Sequence, residues 1–534
     1  MVIRSFLTQI SLGKYLAVQA LMAVVVLIYS TATKRIESLM ILFVLAIVGL
    51  VAPVFESHSA SSGSHPLVIG SLVIHVIALS LWVGGVIALA FLSAHDRPVA
   101  VPRFSQLALW AAIAVVISGA VNAWARLNFV DAWNSAYAFI VLGKIVATII
   151  LVFIGYLHRK TLSKKDSINW ASFAKLLTVE ASIMVITVLM GTWLSTSSSP
   201  DRPGSTEFNP ALSIVGVETP PPPTLSRILL SYEPNALMIG ILTLMVALYV
   251  KGVVVLSKRG DKWPLGRTIA FALGISAVDF ATSGGLGLYA QFSFSFHMMS
   301  HMVLGMVAPI GLVLGAPMTL ALRTLPQGRS PEERGVRGSL LAALHSKIGV
   351  LYTNPIVALA IFDGSLFALY FTDLFSILMQ SHIGHLFMTL HFLASGFLFF
   401  FIIIGVDPNP RRVHHLVQIV ILFAAMSIHA FFSVALMSTT TLIDQGFYTS
   451  LQTPWLGDPL ADQKLGGSIG WAMGEIPILI ALVATFINWM RDDSREAKRI
   501  DRNTARQAAM GQPDDLANYN QYLQELAQRD RKKP

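Results

Sequence analysis

The most informative stretch of this sequence, residues 296–322, reads FHMMSHMVLGMVAPIGLVLGAPMTLAL. It contains no Asp, Glu, Lys or Arg, and it exceeds the roughly 20 apolar residues that a helix needs to cross the hydrocarbon core of a bilayer. On such a helix His297 and His301 lie one turn apart and share a face. The stretch therefore predicts a transmembrane helix that begins with two neighbouring imidazoles.

The side chains at the start of this helix are typical metal ligands. Imidazole and thioether together suit copper, and Cu(I) in particular, better than they suit hard cations. An ionisable side chain inside a membrane span is costly and therefore suggests a function. The alternative is that the histidines are helix-packing residues at a membrane surface. The candidate ligands in this stretch are His297, Met298, His301 and Met302.

The rest of the chain also has the composition of a membrane protein. Of its 534 residues, 54% are hydrophobic and only 13% are charged, whereas soluble domains average about 25% charged residues. Recurrent apolar runs predict an all-α polytopic membrane protein with about thirteen transmembrane helices in two bundles. The candidate spans are 14–30, 39–55, 67–93, 104–124, 137–157, 172–194, 235–256, 267–290, 296–322, 354–372, 384–404, 415–438 and 467–490.

The distribution of charge predicts the orientation of the chain. Basic residues collect in alternate connections, among them 158–165, 258–267 and 323–347. This positive-inside pattern predicts a cytosolic C-terminus and an external N-terminus. It also explains the net charge of +9 without a nucleic-acid partner. No small-residue cleavage site follows the first span, so we expect no removable signal peptide.

Several classes of site are excluded by the residues that the sequence lacks. Cysteine is absent, which excludes disulfides, thiolate metal sites and iron–sulfur clusters. The sequence also lacks a Walker A loop, an HExxH pair and a dinucleotide-binding fingerprint. A soft-metal site must therefore use His and Met, with carboxylates in support. Nothing indicates catalytic turnover of a small molecule, so we predict a protein that is not an enzyme.

The chain divides into five predicted segments. A run of four prolines at 220–223 favours a stiff, extended spacer and marks the boundary between two modules. The segments are an N-terminal pair of helices (1–66), a four-helix module (67–195), an external linker (196–234), a seven-helix module (235–491) and a charged cytosolic tail (492–534).

Small residues and prolines predict details of helix packing in the second module. Gly466, Gly470 and Gly474 recur every four residues, a spacing that lets helix backbones approach closely. Pro309 and Pro317 interrupt the span at 296–322 and should bend it.

Histidines are concentrated in the outer half of the second module. Beyond His297 and His301, the candidate metal ligands are His385 and His391 in span eleven and His429 in span twelve. We expect a single outward-facing cavity to bring them together. The alternative is dispersed hydrogen bonding between helices, worth about 0.6 kcal/mol per contact. His382 is expected at the surface, and solvated cytosolic loops should hold His95, His158, His345, His414 and His415.

Intramembrane acids form the second group of candidates. Asp279 and Asp363 are expected near mid-membrane, and Glu475 about two turns into the last span. These acids could neutralise a bound cation or relay protons, or they could pair with buried polar groups. In the first module, His75 is a further candidate metal ligand, and Glu180 could pair with Lys144.

With these motifs, the second module resembles the CtaG family of cytochrome c oxidase assembly factors. The resemblance covers about 225–495, and several motifs occur in order. The matching segments are ATSGGLGLY (281–289), HMMSHM (297–302) followed by VAP (307–309), LGAP (314–317) and GGSIGWAMGEIP (466–477).

The first module resembles the CopD family of inner-membrane copper proteins over about 67–200. The matching residues are His75 with WVGG (82–85), Gly143-Lys144, and Glu180 followed by GTWL (191–194). The whole chain is thus similar to the fused CopD/CtaG proteins of actinobacteria. Such fusions are expected to carry more N-terminal helices than two, so the front end of this chain is expected to be shortened.

The resemblance implies copper handling for a haem–copper oxidase in the bacterial cytoplasmic membrane. The first module would collect copper near the outer face, and the second would hold Cu(I) and deliver it to oxidase subunits, surrounded by membrane lipid. Three alternatives remain open at this point: a copper importer, a b-type haem protein and an assembly scaffold without metal.

Overall fold

The chain folds into long apolar helices. The computed structural model describes residues 2–33, 36–56, 65–93, 95–163, 170–200, 209–328, 335–410, 413–510 and 515–531. Across these ranges there is no β-strand, and the one isolated bridge pairs Tyr232 with Gly284. Parts of the predicted linker and tail lie outside the described residues.

The helices that precede the linker form the first module and the N-terminal segment, which has three described helices instead of the predicted two. A short 3₁₀ turn, Ala52–Glu56, follows the third helix. Their bounds are α1 (Val2–Gln9), α2 (Ser11–Ala32), α3 (Ile36–Val51), α4 (His65–Ala90), α5 (Arg97–Arg126), α6 (Ala136–Ser163) and α7 (Trp170–Thr196).

The helices of the linker and the second module are more fragmented. They are α8 (Pro210–Ile214), α9 (Leu225–Leu230), α10 (Ala236–Lys258), α11 (Leu265–Thr282), α12 (Gly285–Ala290), α13 (Phe294–Met302), α14 (Ala308–Leu314), α15 (Pro317–Thr324), α16 (Gly335–Leu344), α17 (Lys347–Tyr352), α18 (Pro355–Phe362), α19 (Gly364–Tyr370), α20 (Leu374–Met379), α21 (His382–Ile404), α22 (His415–Ser438), α23 (Phe447–Ser450), α24 (Pro459–Ala509) and α25 (Asp515–Arg531).

Twelve helical segments of the described chain are long and apolar enough to cross a membrane. They confirm the prediction of an all-α polytopic membrane protein. The count differs from thirteen because the predicted span 354–372 is a shorter apolar segment, Pro355–Tyr370, that is broken at Asp363. Asp and Gly are weak helix formers, and Asp363 is followed directly by Gly364.

The helix that carries the HMMSHM motif is bent as the sequence predicts. Pro309 has no N–H to donate to the carbonyl of Gly305, and a π-helical turn, Val303–Val307, precedes it. Further along, Ala316 adopts a left-handed conformation (φ 50°) before Pro317 and separates α14 from α15. These two breaks confirm the predicted bends at Pro309 and Pro317.

The glycine stripe of α24 packs against two helices. A Cβ added to Gly466 would meet the ring of Phe294 in α13, and one added to Gly474 would meet the ring of His429 in α22. Gly470 lies between them against Met298. The glycines therefore let α24 approach α13 and α22 closely, as their spacing predicts. The same helix continues without interruption past the predicted tail boundary at 491–492.

Two contacts attach the first module and the linker to the second module. Gly70 in α4 lies against Leu237 in α10, which brings the first module beside the second. Pro220 and Pro221 accept hydrogen bonds from Trp455 Nε1 (2.7 Å) and Tyr289 Oη (2.8 Å). The predicted proline spacer is thus fixed against the second module. We call the end of the bundle at which it lies the linker end.

Candidate functional site

Four histidines of the second module lie together near the linker end of α13 and α21. The ring centroid of His297 is 4.0 Å from that of His301 and 5.5 Å from that of His385. The imidazole of His301 also lies within electrostatic reach of His385 and His391. We call His297, His301, His385 and His391 the histidine cluster. The structure therefore brings together four of the predicted metal ligands.

The first turn of α13, the helix that carries His297 and His301, is fixed by side-chain caps. Ser293 accepts a hydrogen bond from Phe296 N (3.5 Å), and its own hydroxyl contacts both carboxylate oxygens of Asp462 (3.0 Å each). Asp462 also accepts from Ser295 N (3.3 Å). Such side-chain acceptors satisfy the free N–H groups of a first turn. Asp462 is a positioning residue that sequence reasoning missed, because it lies far along the chain from α13.

Two histidines of the cluster are fully buried and two are partly exposed, and several of the ring nitrogens have no described hydrogen-bond partner. His297 and His301 are each 1% exposed. Among the described residues, no partner is present for either nitrogen of His297 or for Nε2 of His301 and His391. A buried polar atom without a partner costs about 1–3 kcal/mol. Several such nitrogens on neighbouring rings therefore favour a bound ligand, such as a metal ion, over a packing role.

The hydroxyl of Tyr370 contacts one ring nitrogen of His301 and leaves the other, Nε2, without a described partner. The hydroxyl oxygen lies 2.9 Å from Nδ1 of His301. The imidazole ring of His301 also packs against the ring of Phe392, with 4.2 Å between the ring centroids. When Nδ1–H donates to the phenol oxygen, the lone pair of Nε2 is free for a ligand. Metal-binding histidines commonly donate their second nitrogen in this way.

The intramembrane carboxylates that the sequence predicts as partners of a bound cation are not part of the histidine cluster. Within the described ranges, no three His, Asp or Glu side chains are already arranged to hold a metal ion. A metal in the histidine cluster would therefore use a pair of imidazoles, other ligand types, or rotated rings. Soft Cu(I) is the metal best suited to imidazole with thioether and without carboxylate.

The two predicted methionine ligands occupy a different face of α13. A Cβ added to Gly470 of α24 would lie 3.5 Å from Sδ of Met298, so this thioether packs against α24. Met302 follows one turn later on the same face and is 1% exposed. A further thioether is that of Met388, which lies between His385 and His391 in α21 and is also buried.

A cavity of about 140 Å³ reaches the histidine cluster. His301, His382 and His385 line it, together with polar residues that include Glu233 and Gln291. Pro66 and Ile69 of α4 also line it. The predicted surface residue His382 is only partly exposed and lines this cavity.

His429 belongs to a separate cluster. Its Nε2 lies 3.1 Å from the carbonyl oxygen of Gly470, and its Nδ1 lies 3.6 Å from Oδ1 of Asp363. His429 and Asp363 are 0% and 1% exposed, and Glu475 lies within electrostatic reach of both. We call these three residues the acidic cluster. Instead of the one predicted cavity, the structure therefore contains two groups of polar side chains.

The first module differs from the predicted pairing. Glu180 pairs with Nε2 of His158 (3.1 Å), and both side chains are buried. Lys144 lies instead beside Gly191, eleven residues farther along α7, which is about 16 Å at 1.5 Å per residue. The predicted Lys144–Glu180 pair is therefore wrong, as is the solvated loop predicted for His158. His95, His345 and His414 are exposed as predicted.

His75 is held by neighbouring α5. Its Nδ1 lies 3.1 Å from both the carbonyl oxygen of Val115 and the hydroxyl of Ser118. Because the Ser118 hydroxyl donates to Ala114 O and a carbonyl only accepts, Nδ1 must carry the proton. The Nε2 lone pair of His75 is therefore not used by this hydrogen bond, but Lys144 lies within electrostatic reach.

Asp279 lies in the last turn of α11 rather than at mid-membrane. The sequence-based span extends to residue 290, whereas α11 ends at Thr282. The carboxylate accepts a hydrogen bond from the hydroxyl of Tyr232 (3.1 Å), an exposed residue of the connection before α10. Partial burial and the charge of Asp279 raise the pKa of Tyr232, so the phenol stays a donor.

Comparison with known proteins finds a family model that matches part of each module. A family model described as cytochrome c oxidase caa3 assembly factor matches residues 247–492, and a model described as copper resistance protein D matches residues 98–194. The first segment includes the whole histidine cluster and the acidic cluster. The second lies within the predicted four-helix module.

Individual relatives are uncharacterized proteins of mycobacteria. Those of Mycobacterium bovis and Mycobacterium tuberculosis are each 42% identical over 317 residues, which cover 59% of this chain and 47% of theirs. One of Mycobacterium leprae is 41% identical over 314 residues. The chain spans about half the length of these curated relatives. No solved structure matches it significantly. One chain therefore carries matches to both families, with the segment similar to copper resistance protein D preceding the segment similar to the caa3 oxidase assembly factor.

Proposed function

We propose that this protein binds Cu(I) at the histidine cluster and delivers it for the assembly of a haem–copper cytochrome c oxidase. The family description of the second module supports the oxidase, and that of the first module supports copper. Copper is the cargo in this proposal, and oxidase subunits are the partners that receive it.

The observation that carries the proposal is the set of buried ring nitrogens without partners on His297, His301 and His391. A soft monovalent cation would use these lone pairs without needing carboxylates to balance a second charge. Packing alone does not explain them, because a buried histidine in a packing role normally has its nitrogens hydrogen-bonded. A thioether from Met388, between His385 and His391 in α21, would give mixed ligation by His and Met and a site from which copper can be released.

The positive-inside pattern supports an orientation for delivery. With the C-terminus in the cytosol and the N-terminus outside, the linker end faces the outside of a bacterial cytoplasmic membrane. The histidine cluster then lies near the outer face. The connection 439–466, which is held to the linker by Trp455, would be the surface nearest to an oxidase subunit.

Removal of the two central imidazoles tests this function. We expect His297→Ala combined with His301→Ala to abolish near-stoichiometric Cu(I) binding by the purified protein and to lower oxidase activity in cells. The protein should remain in the membrane, because these rings contribute no hydrogen bond except the one to Tyr370. His345→Ala, which alters an exposed histidine, is the matched control and should retain both copper and oxidase activity.

Each alternative function has its own outcome in the same experiments. Normal oxidase copper content and activity in the double variant would reject delivery through this cluster. An unsubstituted protein that binds no Cu(I) under reducing conditions would leave the role of a scaffold. A Soret band would indicate haem, and a deletion strain with reduced whole-cell copper uptake would indicate an importer.

A further inference from the structure

Two cavities approach each other at the linker end. One, of about 2260 Å³, is lined by His75, Lys144 and Glu218 among others, and we call it the first-module cavity. The other is the cavity of about 140 Å³ that reaches the histidine cluster. Glu233 lines both of them. This half-buried carboxylate is therefore positioned where the two cavities meet.

The backbone around Glu233 is held in place from both sides. Its N–H donates to the carbonyl of Ser283 (2.8 Å), and the preceding Tyr232 pairs with Gly284. Asn235 N donates to the hydroxyl of Ser283 (3.3 Å), and its side chain caps α10. Glu233 thus lies in a short extended segment that is attached to the end of α11. A carboxylate attached in this way keeps its place between the cavities.

The charges of the first-module cavity favour a cation at its linker end. Lys144 and Arg126 line the cavity in α6 and at the end of α5. Lys144 lies within electrostatic reach of His75 and repels a cation from that region. The carboxylates on the lining are Glu218, which is exposed, and Glu233. A cation that enters this cavity therefore has its lowest energy near the carboxylates.

We propose that Glu233 is the point at which Cu(I) passes from the first-module cavity to the histidine cluster. The inference rests on the proposed function, since it assumes that the cluster takes up Cu(I). A carboxylate is a hard ligand and holds Cu(I) weakly, so Glu233 acts by its charge and releases the ion to the imidazoles. This passage gives the fusion of the two modules a physical purpose.

Loading kinetics test the proposal. The purified full-length protein is mixed with Cu(I) held by a weak chelator under reducing conditions, and both the initial rate of loading and the final stoichiometry are measured. We expect Glu233→Gln to slow loading about tenfold, because charges that focus an ion raise association rates by about 10–10³. The final stoichiometry should not change, since glutamine keeps the shape of the side chain and the cluster is intact.

Two further variants separate the passage from general effects of charge and fold. Glu218→Gln removes the same charge from the first-module cavity alone and should change the rate less than twofold. Glu233→Asp retains the charge and should retain most of the rate. A rate in Glu233→Gln equal to that of the unsubstituted protein would overturn the proposal, as would equal slowing by Glu218→Gln.

The same measurements distinguish failure of the passage from failure of the proposed function. A lower stoichiometry in Glu233→Gln would make Glu233 a ligand and would overturn its role as a point of passage, while Cu(I) binding itself stood. An unsubstituted protein that takes up no Cu(I) would overturn the proposed function and the passage together.

Discussion

The histidine cluster and the acidic cluster place the same residue type in opposite situations. Both lie in the second module, and His297, His301 and His429 are all almost completely buried. The ring of His297 packs against those of His301 and His385, and four of the eight nitrogens of the histidine cluster are buried with no described hydrogen-bond partner. His429 instead lies between a carbonyl oxygen and the carboxylate of Asp363.

The difference lies in charge, because Nδ1 of His429 and both oxygens of Asp363 are also buried without a hydrogen bond and lie at an ion-pair distance of 3.6 Å. Since the carbonyl of Gly470 can only accept, Nε2 of His429 carries a proton. One further proton between Nδ1 and Asp363 then makes the pair neutral, whether it resides on the ring or on the acid. The histidine cluster has no such internal compensation. Burial and a missing hydrogen bond therefore do not by themselves identify a ligand site, and the charge of the neighbouring groups has to be compared as well.

The largest expected effect is on stability, and we expect a loss in the acidic cluster but none in the histidine cluster. Asp363→Ala should lower the free energy of unfolding by about 3–5 kcal/mol, because removing one partner leaves a buried group uncompensated. His297→Leu should leave the stability of the copper-free protein unchanged or raise it by about 1–3 kcal/mol, because it removes partnerless polar atoms. Unfolding in detergent, monitored by circular dichroism, measures both.

Copper must be absent in this comparison, since a bound ion stabilises the folded protein. Ser365→Ala, which alters a partly buried hydroxyl near Asp363, serves as the control for a small change in the same segment. A destabilisation of His297→Leu as large as that of Asp363→Ala would show that both clusters have the same structural role.

The next largest effect on stability is expected at two glycines of α24, Gly474 and Gly470, which pack against His429 and Met298. A Cβ at Gly474 would collide with the ring of His429 and force it away from Gly470, so Gly474→Ala should lower the free energy of unfolding by about 1–3 kcal/mol. A Cβ at Gly470 would lie at ordinary contact distances, 3.4 and 3.5 Å, from Cγ and Sδ of Met298. Gly470→Ala is therefore the matched control and should be nearly neutral. Equal losses in both variants would contradict the contact with His429.

Local sequence signals predicted much of this architecture. Apolar runs gave the span positions, since the bilayer fixes their length, and Pro309 and Pro317 gave the bends. The one-turn spacing of His297 and His301 placed both rings on one face of α13, and that pairing needs no tertiary information. The glycine stripe of α24 likewise predicted a close helix contact, although not its partners.

Contacts between distant helices were not predictable in the same way. The register of α6 against α7 pairs Glu180 with His158 instead of Lys144, and no local pattern sets that register. Asp462 reaches Ser293 across 169 positions of sequence, and the separation of His429 from the histidine cluster depends on how α22 packs against α24. The sequence identified the candidate polar residues within the spans, and the packing of the helices determined which of them are partners.

The smallest effect concerns the bond that orients His301. Tyr370→Phe removes the hydroxyl 2.9 Å from Nδ1 and frees the ring to take the other tautomer, which occupies Nε2 with a proton. Loss of such a supporting bond typically costs about 10–100-fold in metal affinity, and we expect a loss near the lower limit because His297 remains. Titration with a competing Cu(I) chelator measures it. Phe367→Leu, an apolar change in the same helix, should leave the affinity unchanged. If Tyr370→Phe bound Cu(I) as tightly as the unsubstituted protein, Nε2 of His301 would not be a ligand, and the copper site would have to be sought among His297, His385 and His391.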